Sequence, residues 1–309
     1  MPRPGARFIL AAMKRNAAPF LAILLLGVSS LPARGETVPA ACLASESAQR
    51  TLNRAAFAAT GYKATLVGTA THLQVGTVSV RDRNGTLTLP SLRDANTLVS
   101  LGLLSMVHGS TPAPCRAVET GPSMKALRDA LHKGAVAELT WSSIGIDDGS
   151  ARYKADRLVV TLRAGPTPGT VAIAADTSGL TAPGGSALPG RVSTRLIVPE
   201  RSLSTPTPGP GEITISRLDA FWTKGSLSGK GAVTPGHDIA TTRGTLNVTI
   251  TDLSDLLATI KPYVPAGTTT ALSVAQFMGH RDGNRVAWDF ALENGQLKVN
   301  SFPIPLSIN

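Results

Sequence analysis

The stretch RVAWDFALENGQLKV, residues 285–299, decides the fold. Val286, Trp288, Phe290 and Leu292 alternate with Ala287, Asp289 and Ala291, and Leu297 and Val299 resume the alternation after Asn294-Gly295. Spacing of two sends alternate side chains to opposite faces of a strand. Asn-Gly between two such runs supplies the pair of positive-φ residues that a tight hairpin turn needs. The segment therefore reads as an antiparallel hairpin with one apolar face. Val286, Trp288, Phe290 and Leu292 are the candidates for that face. They either line a ligand groove or form a filled core, and a filled core is the ordinary expectation.

The same signature recurs upstream. Leu246, Val248 and Ile250 alternate, Gly225 to Val233 is a glycine-rich strand, and Ile213 and Ile215 open a strand that Leu218 to Trp222 continues or pairs with. Earlier strands are expected at Leu158–Leu162, Thr170–Ala174 and Arg191–Val198, with an Asp148-Gly149 turn before the first. Val78 and Val80 alternate toward Asn84-Gly85, with Leu87 and Leu89 beyond, which reads as another hairpin. Gly 30 and Pro 22 among 309 residues suit a β-rich chain with many turns. The expected class is mainly β (a β-rich α+β fold), a long curved or sandwiched antiparallel sheet with a few packing helices.

Helices are expected where the spacing changes to three and four. Ser45–Phe57 has Ala48, Leu52, Ala55 and Ala56 at helical intervals; Leu92–Val107 is apolar; Ser123–Lys133 carries Met124, Leu127 and Leu131 on one stripe before Gly134. Asp252 reads as an N-cap for a helix through Leu253, Leu256, Leu257 and Ile260. A short helix is expected at Ala271–Met278. The Pro/Gly run TPTPGPG, residues 205–211, reads as a joint between an N-terminal half, 36–204, with helices and strands, and a β-rich C-terminal half, 212–309.

Residues 1–35 read as a cleaved secretory signal: a basic flank, the 15-residue uncharged run Ala17–Leu31, and Ala33-Arg34-Gly35 before the expected start at Glu36. The run is shorter than the roughly 20 residues of a spanning helix. Met13 also opens a compact signal of the same kind, so either methionine is a candidate start. The whole chain carries +10; the leader holds five basic residues and no acidic one, leaving 25 basic against 20 acidic residues. No basic cluster survives, which argues against nucleic acid as a partner. The expected location is the periplasm, an oxidising space where Cys42 and Cys115 are expected to form a disulfide.

Motifs for chemistry are missing. The five histidines show no pair at metal-ligand spacing. Gly225-Ser226-Leu227-Ser228-Gly229 has Leu where a nucleophile elbow needs Ser. Gly225–Lys230 falls short of a phosphate loop, since Gly231 follows the lysine. No catalytic residue, metal ligand or cofactor is expected. Asn84 and Asn247 match glycosylation sequons, a short pattern of low specificity.

Three blocks carry a family resemblance. They are Leu218–Trp222 followed by Gly225–Gly231; Arg243–Ile250 leading into Leu253–Leu257; and Val286–Leu297 with Pro303-Ile304-Pro305-Leu306. In these the chain resembles a family of exported bacterial proteins catalogued as domain of unknown function 2125, over 212–309 and more weakly over 137–200. The layout also looks like that of AsmA-like envelope proteins, whose curved sheets present an apolar groove to lipid. The resemblance implies a β-rich periplasmic protein and brings no catalytic residues. The expectation is a non-enzymatic exported protein whose partner is a lipid or membrane surface. The alternatives are a structural or assembly partner of another envelope protein, and a hydrolase with a dispersed site.

Overall fold

Residues 285–299 form the expected hairpin, and it is one unit of a much longer sheet. The computed structural model describes residues 40–115, 122–182, 188–200, 211–236, 240–263 and 277–304. Its first strands are β1 (Leu43–Asn53), β2 (Ala56–Leu66), β3 (His72–Asp82), β4 (Val136–Asp147), β5 (Arg152–Ala164), β6 (Thr170–Ser178) and β7 (Arg191–Pro199). Then come β8 (Ile213–Phe221), β9 (Ser226–Thr234), β10 (Arg243–Thr251), β11 (His280–Asp282), β12 (Arg285–Glu293), β13 (Gln296–Val299) and β14 (Phe302–Ile304). Helix α1 (Leu89–His108) and helix α2 (Pro122–His132) separate β3 from β4, and α3 (Leu253–Ile260) follows β10. Each strand pairs antiparallel with the next in one 14-stranded sheet, the only break in order being that β12 pairs with β10 and carries β11 as a side strand. Strands β7 and β8, which flank the Pro/Gly run, are hydrogen-bonded neighbours in that sheet. Residues 1–35, most of the 205–211 run and residues 271–276 lie outside the described residues.

Directly opposed residues of an antiparallel ladder project from the same face. One row of opposed residues runs Val78, Trp141, Leu158, Thr177, Val192, Ala220, Leu227, Ile250, Val286 from β3 to β12. A second runs Phe57, Val80, Leu139, Val160, Ala175, Thr194, Leu218, Gly229, Val248, Trp288. Thr177 and Thr194 are their only hydroxyl-bearing members, so the sheet has a single apolar face across ten strands. In β2 to β5 the alternation steps by three at one level: Ala59 to Tyr62, Val78 to Val75, Trp141 to Ile144 and Leu158 to Ala155. Gly61 and Ser143 take left-handed φ of 59° and 54° at that level, which keeps the apolar positions facing one way on both sides of it.

Helices cover this face in two places. Thr88 caps α1 by accepting from Ser91 N, and Gly109, at φ 85°, ends it with N–H bonds to the carbonyls of Ser105 and Met106. Leu92, Ala95, Leu101 and Leu104 bury against the sheet, while Trp141 Nε1 donates to Asn96 Oδ1 (2.9 Å) and Tyr62 Oη lies 2.9 Å from Ser100 Oγ. Helix α2 buries Leu127 and Leu131. At the far end α3 packs Leu253 near Val286, Trp288 and Val299. Gly279 crosses so close above that strand that a Cβ there would lie 2.2 Å from Val286 Cγ1. Cys42 and Cys115 are joined, with Cα atoms 4.7 Å apart, tying the start of β1 to the segment after α1.

Three local expectations are corrected. Ser45–Phe57 is not a helix but β1 and the start of β2: its helical stripe buries nothing, with Leu52 52% exposed, whereas Phe57 enters the core from β2. Strand pairing outweighs the weak preference of a small Ala/Leu stripe. Asn84-Gly85 does not turn a hairpin. Leu89 begins α1, and the loop is organised by Asp82, whose carboxylate accepts from the backbone N of Asn84, Thr86, Leu87 and Val136 and from Thr86 Oγ1. Asp252 is not a side-chain N-cap: at φ 55° its carboxylate turns away and accepts from Asn284 Nδ2 at 2.7 Å.

Candidate functional site

A cavity of about 390 Å³ lies between the helical layer and the sheet, above β4 to β7. Its roof is one flank of α1, Leu98, Val99, Gly102, Leu103, Met106 and Val107, together with Leu127, Arg128 and Leu131 of α2. Its floor is the apolar face: Ile144 and Ile146; Ala155, Leu158, Val160 and Leu162; Val171, Ile173 and Ala175; Val192, Thr194 and Leu196. The volume lies in the range of about 300–1,000 Å³ usual for small-molecule sites. Ile144, Val160 and Val171 are buried, whereas Ile173, Ala175, Val192 and Leu196 are half-buried, so the cavity is open to solvent toward β6 and β7. His132 at the end of α2 reaches the end of β7, its Nε2 2.5 Å from Glu200 Oε1, and joins roof to floor.

The lining of this space is almost wholly apolar. Water is a poor filler, because an ordered water needs two to four polar partners. Among the described residues the charged ones lining the cavity are Arg128 and Lys154, and no carboxylate lines it. Arg128 Nη1 and Thr194 Oγ1 are buried without a hydrogen-bond partner.

The carboxylate that holds the roof's approach in place is well satisfied. Burial of Asp82 opposes its charged form, but the donors from Val136, Leu87, Asn84 and Thr86 outweigh that and hold its carboxyl below the ordinary value. Glu138 beside it behaves alike: burial raises it, and Arg83 and Arg81 bring it down further than burial lifts it.

The four residues of the 285–299 face sit elsewhere. Val286, Trp288, Phe290 and Leu292 oppose Ile250, Val248, Leu246 and Gly244 on one face of β12. Val286 and Trp288 are buried beneath α3, and Phe290 and Leu292 are half-buried. Phe290 also borders a wider depression of about 800 Å³ walled by Lys230, Asp289, Glu293 and Lys298, where Lys298 Nζ pairs with Glu293 at 3.0 Å. The two cysteines are together in their bond, remote from β12 in sequence. Sequence reading missed Arg128, Thr194 and Gly102. Its available signals were an arginine at a stripe position between Leu127 and Leu131, a threonine in the apolar alternation of Val192 and Leu196, and a glycine inside α1.

Among the described residues no group of three or more His, Cys, Asp or Glu side chains is placed to hold a metal, and no helix is long and apolar enough to cross a membrane. No curated protein and no solved structure matches the chain. A family model does, over residues 44–307, reaching through the N-terminal strands and helices that carried none of the resemblance seen in the sequence. With all of the apolar sheet from β2 to β13 inside that match, the chain belongs to the bacterial family described as "Uncharacterized protein conserved in bacteria (DUF2125)".

Proposed function

We propose that this is an exported, non-enzymatic protein of the bacterial envelope that binds a lipid or similar long apolar molecule in the cavity between α1, α2 and β4 to β7. The observation that carries the reading is the space itself, about 390 Å³ bounded almost wholly by aliphatic side chains and open toward β6 and β7. The sheet's unbroken apolar face extends the same surface beyond the helices. The leader-like first 35 residues and the Cys42–Cys115 bond support the periplasm as its location. The resemblance in layout to AsmA-like proteins points the same way. Docking to an envelope protein is a second reading, favoured by the outer edge of β1, which among the described residues pairs only with β2.

The test is native mass spectrometry of the chain exported with its own leader, followed by titration of the lipid-stripped protein with the neutral dye N-phenyl-1-naphthylamine. A co-purifying apolar molecule and saturable dye binding are expected. Protein that leaves the cell empty and binds no dye refutes the reading.

A further inference from the structure

We infer that the occupant of the cavity is a single-chain anionic amphiphile, a long-chain fatty acid, whose carboxylate is held by Arg128 with Thr194 as a further polar contact. This rests on the reading of the cavity as a ligand site. Arg128 of α2 is half-buried and lines this apolar space from the roof. Its Nη1 is closed to solvent and donates to no atom. The adjacent Asp129 is exposed and bonded instead to Lys125 Nζ at 2.9 Å. Thr194 projects from the floor, 8% exposed, and its Oγ1 also lacks a partner.

A guanidinium nitrogen shut off from water without an acceptor carries a desolvation penalty, as does a buried hydroxyl with nothing to bond. Both penalties fall on the same cavity, and both are relieved by one kind of group, an anionic oxygen acceptor. A guanidinium presents donors that fit a carboxylate in parallel pairs, and such bonds are stronger than neutral ones. Lys154, exposed at the lining, adds a second positive charge, and no acidic side chain is among the described residues that line the cavity. A purely apolar ligand would fill the space and leave Arg128 Nη1 and Thr194 Oγ1 without an acceptor or donor. The modest volume, near the lower end of the usual range, favours one acyl chain over two.

The experiment uses the full lipid-stripped protein and displacement of N-phenyl-1-naphthylamine at pH 8. Hexadecanoate, 1-hexadecanol and vesicles of diacyl phosphatidylglycerol are the competitors. Hexadecanoate is expected to compete at least about tenfold more tightly than the alcohol of the same length. Arg128→Met should bring that ratio to about one while dye and hexadecanol binding persist, and Thr194→Val should lower it by about threefold. Should Arg128→Met fail to fold, Arg128→Gln supplies the same comparison. A wild-type ratio near one, a ratio that survives loss of the guanidinium, or tighter competition by the diacyl lipid would overturn the inference while leaving the cavity reading intact. Absence of dye binding by the wild type overturns both.

Discussion

Ala175→Leu separates an open cavity from a filled core by the sign of its effect. Ala175 lies on the apolar face of β6, opposite Val160 on one side and Thr194 on the other, and lines the cavity. Leucine adds three carbons at that point. If they enter open space, burial of each is worth about 0.8 kcal/mol, or about 2.4 kcal/mol together. Fixing the longer side chain costs about 0.5–1 kcal/mol. The net expectation is a stabilisation of about 1.5 kcal/mol. In a close-packed core the same change would be overpacking, costing about 1–3 kcal/mol. The two cases therefore differ in sign and by several kcal/mol, well beyond the error of a urea titration on lipid-stripped protein. The leucine also occupies space the ligand needs, so dye affinity should fall at least about tenfold in the same variant. A variant less stable than wild type by 1 kcal/mol or more, with dye binding unchanged, refutes the cavity as the place where ligand sits.

Asp82→Ala strands the backbone donors of Leu87 and Val136 and should destabilise the protein by about 2–4 kcal/mol in urea titration, with α1 protection lost first in hydrogen exchange. The carboxyls of Asp82 and Glu138 are held below their ordinary values, so the stability they contribute is complete above about pH 5 and is lost as pH falls through their lower folded values. A melting temperature that drops steeply below pH 4 in wild type, and less steeply in Asp82→Asn, checks that sign. The Cys42–Cys115 bond closes a loop with a sequence separation of 73, for which chain entropy predicts about 4 kcal/mol of stabilisation. The double Cys→Ala variant should lose about that amount, and intact protein purified from the periplasm should take up alkylating reagent only after reduction.

Much of the architecture was legible in local pattern. Alternation and Asn-Gly chemistry located β12 and β13, where Asn294 and Gly295 adopt φ of 52° and 72°. Apolar spacing located α1 and α2, whose observed limits, Leu89–His108 and Pro122–His132, enclose or nearly match those read from sequence. These features depend on residues within one turn or one strand of each other, so neighbouring residues suffice to specify them. The strand at β1 was not legible, because its fate is set by pairing with β2 and not by its own alanines. Nor was the loop at Asn84-Gly85, because Asp82 there bonds to Val136, 54 residues away.

The functional candidate shows the same division more sharply. By itself the sequence determined that many strands would each carry one apolar side, since a period of two is a property of the chain alone. Which of those sides would be covered, and by what, was a matter of register and helix placement. Ladder pairing aligned ten strands so that their apolar residues became one surface. The disulfide and the side-chain bonds from Tyr62 and Trp141 held α1 over only part of it. The cavity is the space left where that cover stands off from the floor, and Arg128 and Thr194 face the same space although 66 positions separate them. No local spacing relates those two residues. Only the folded arrangement of α2 above β7 brings them to one site.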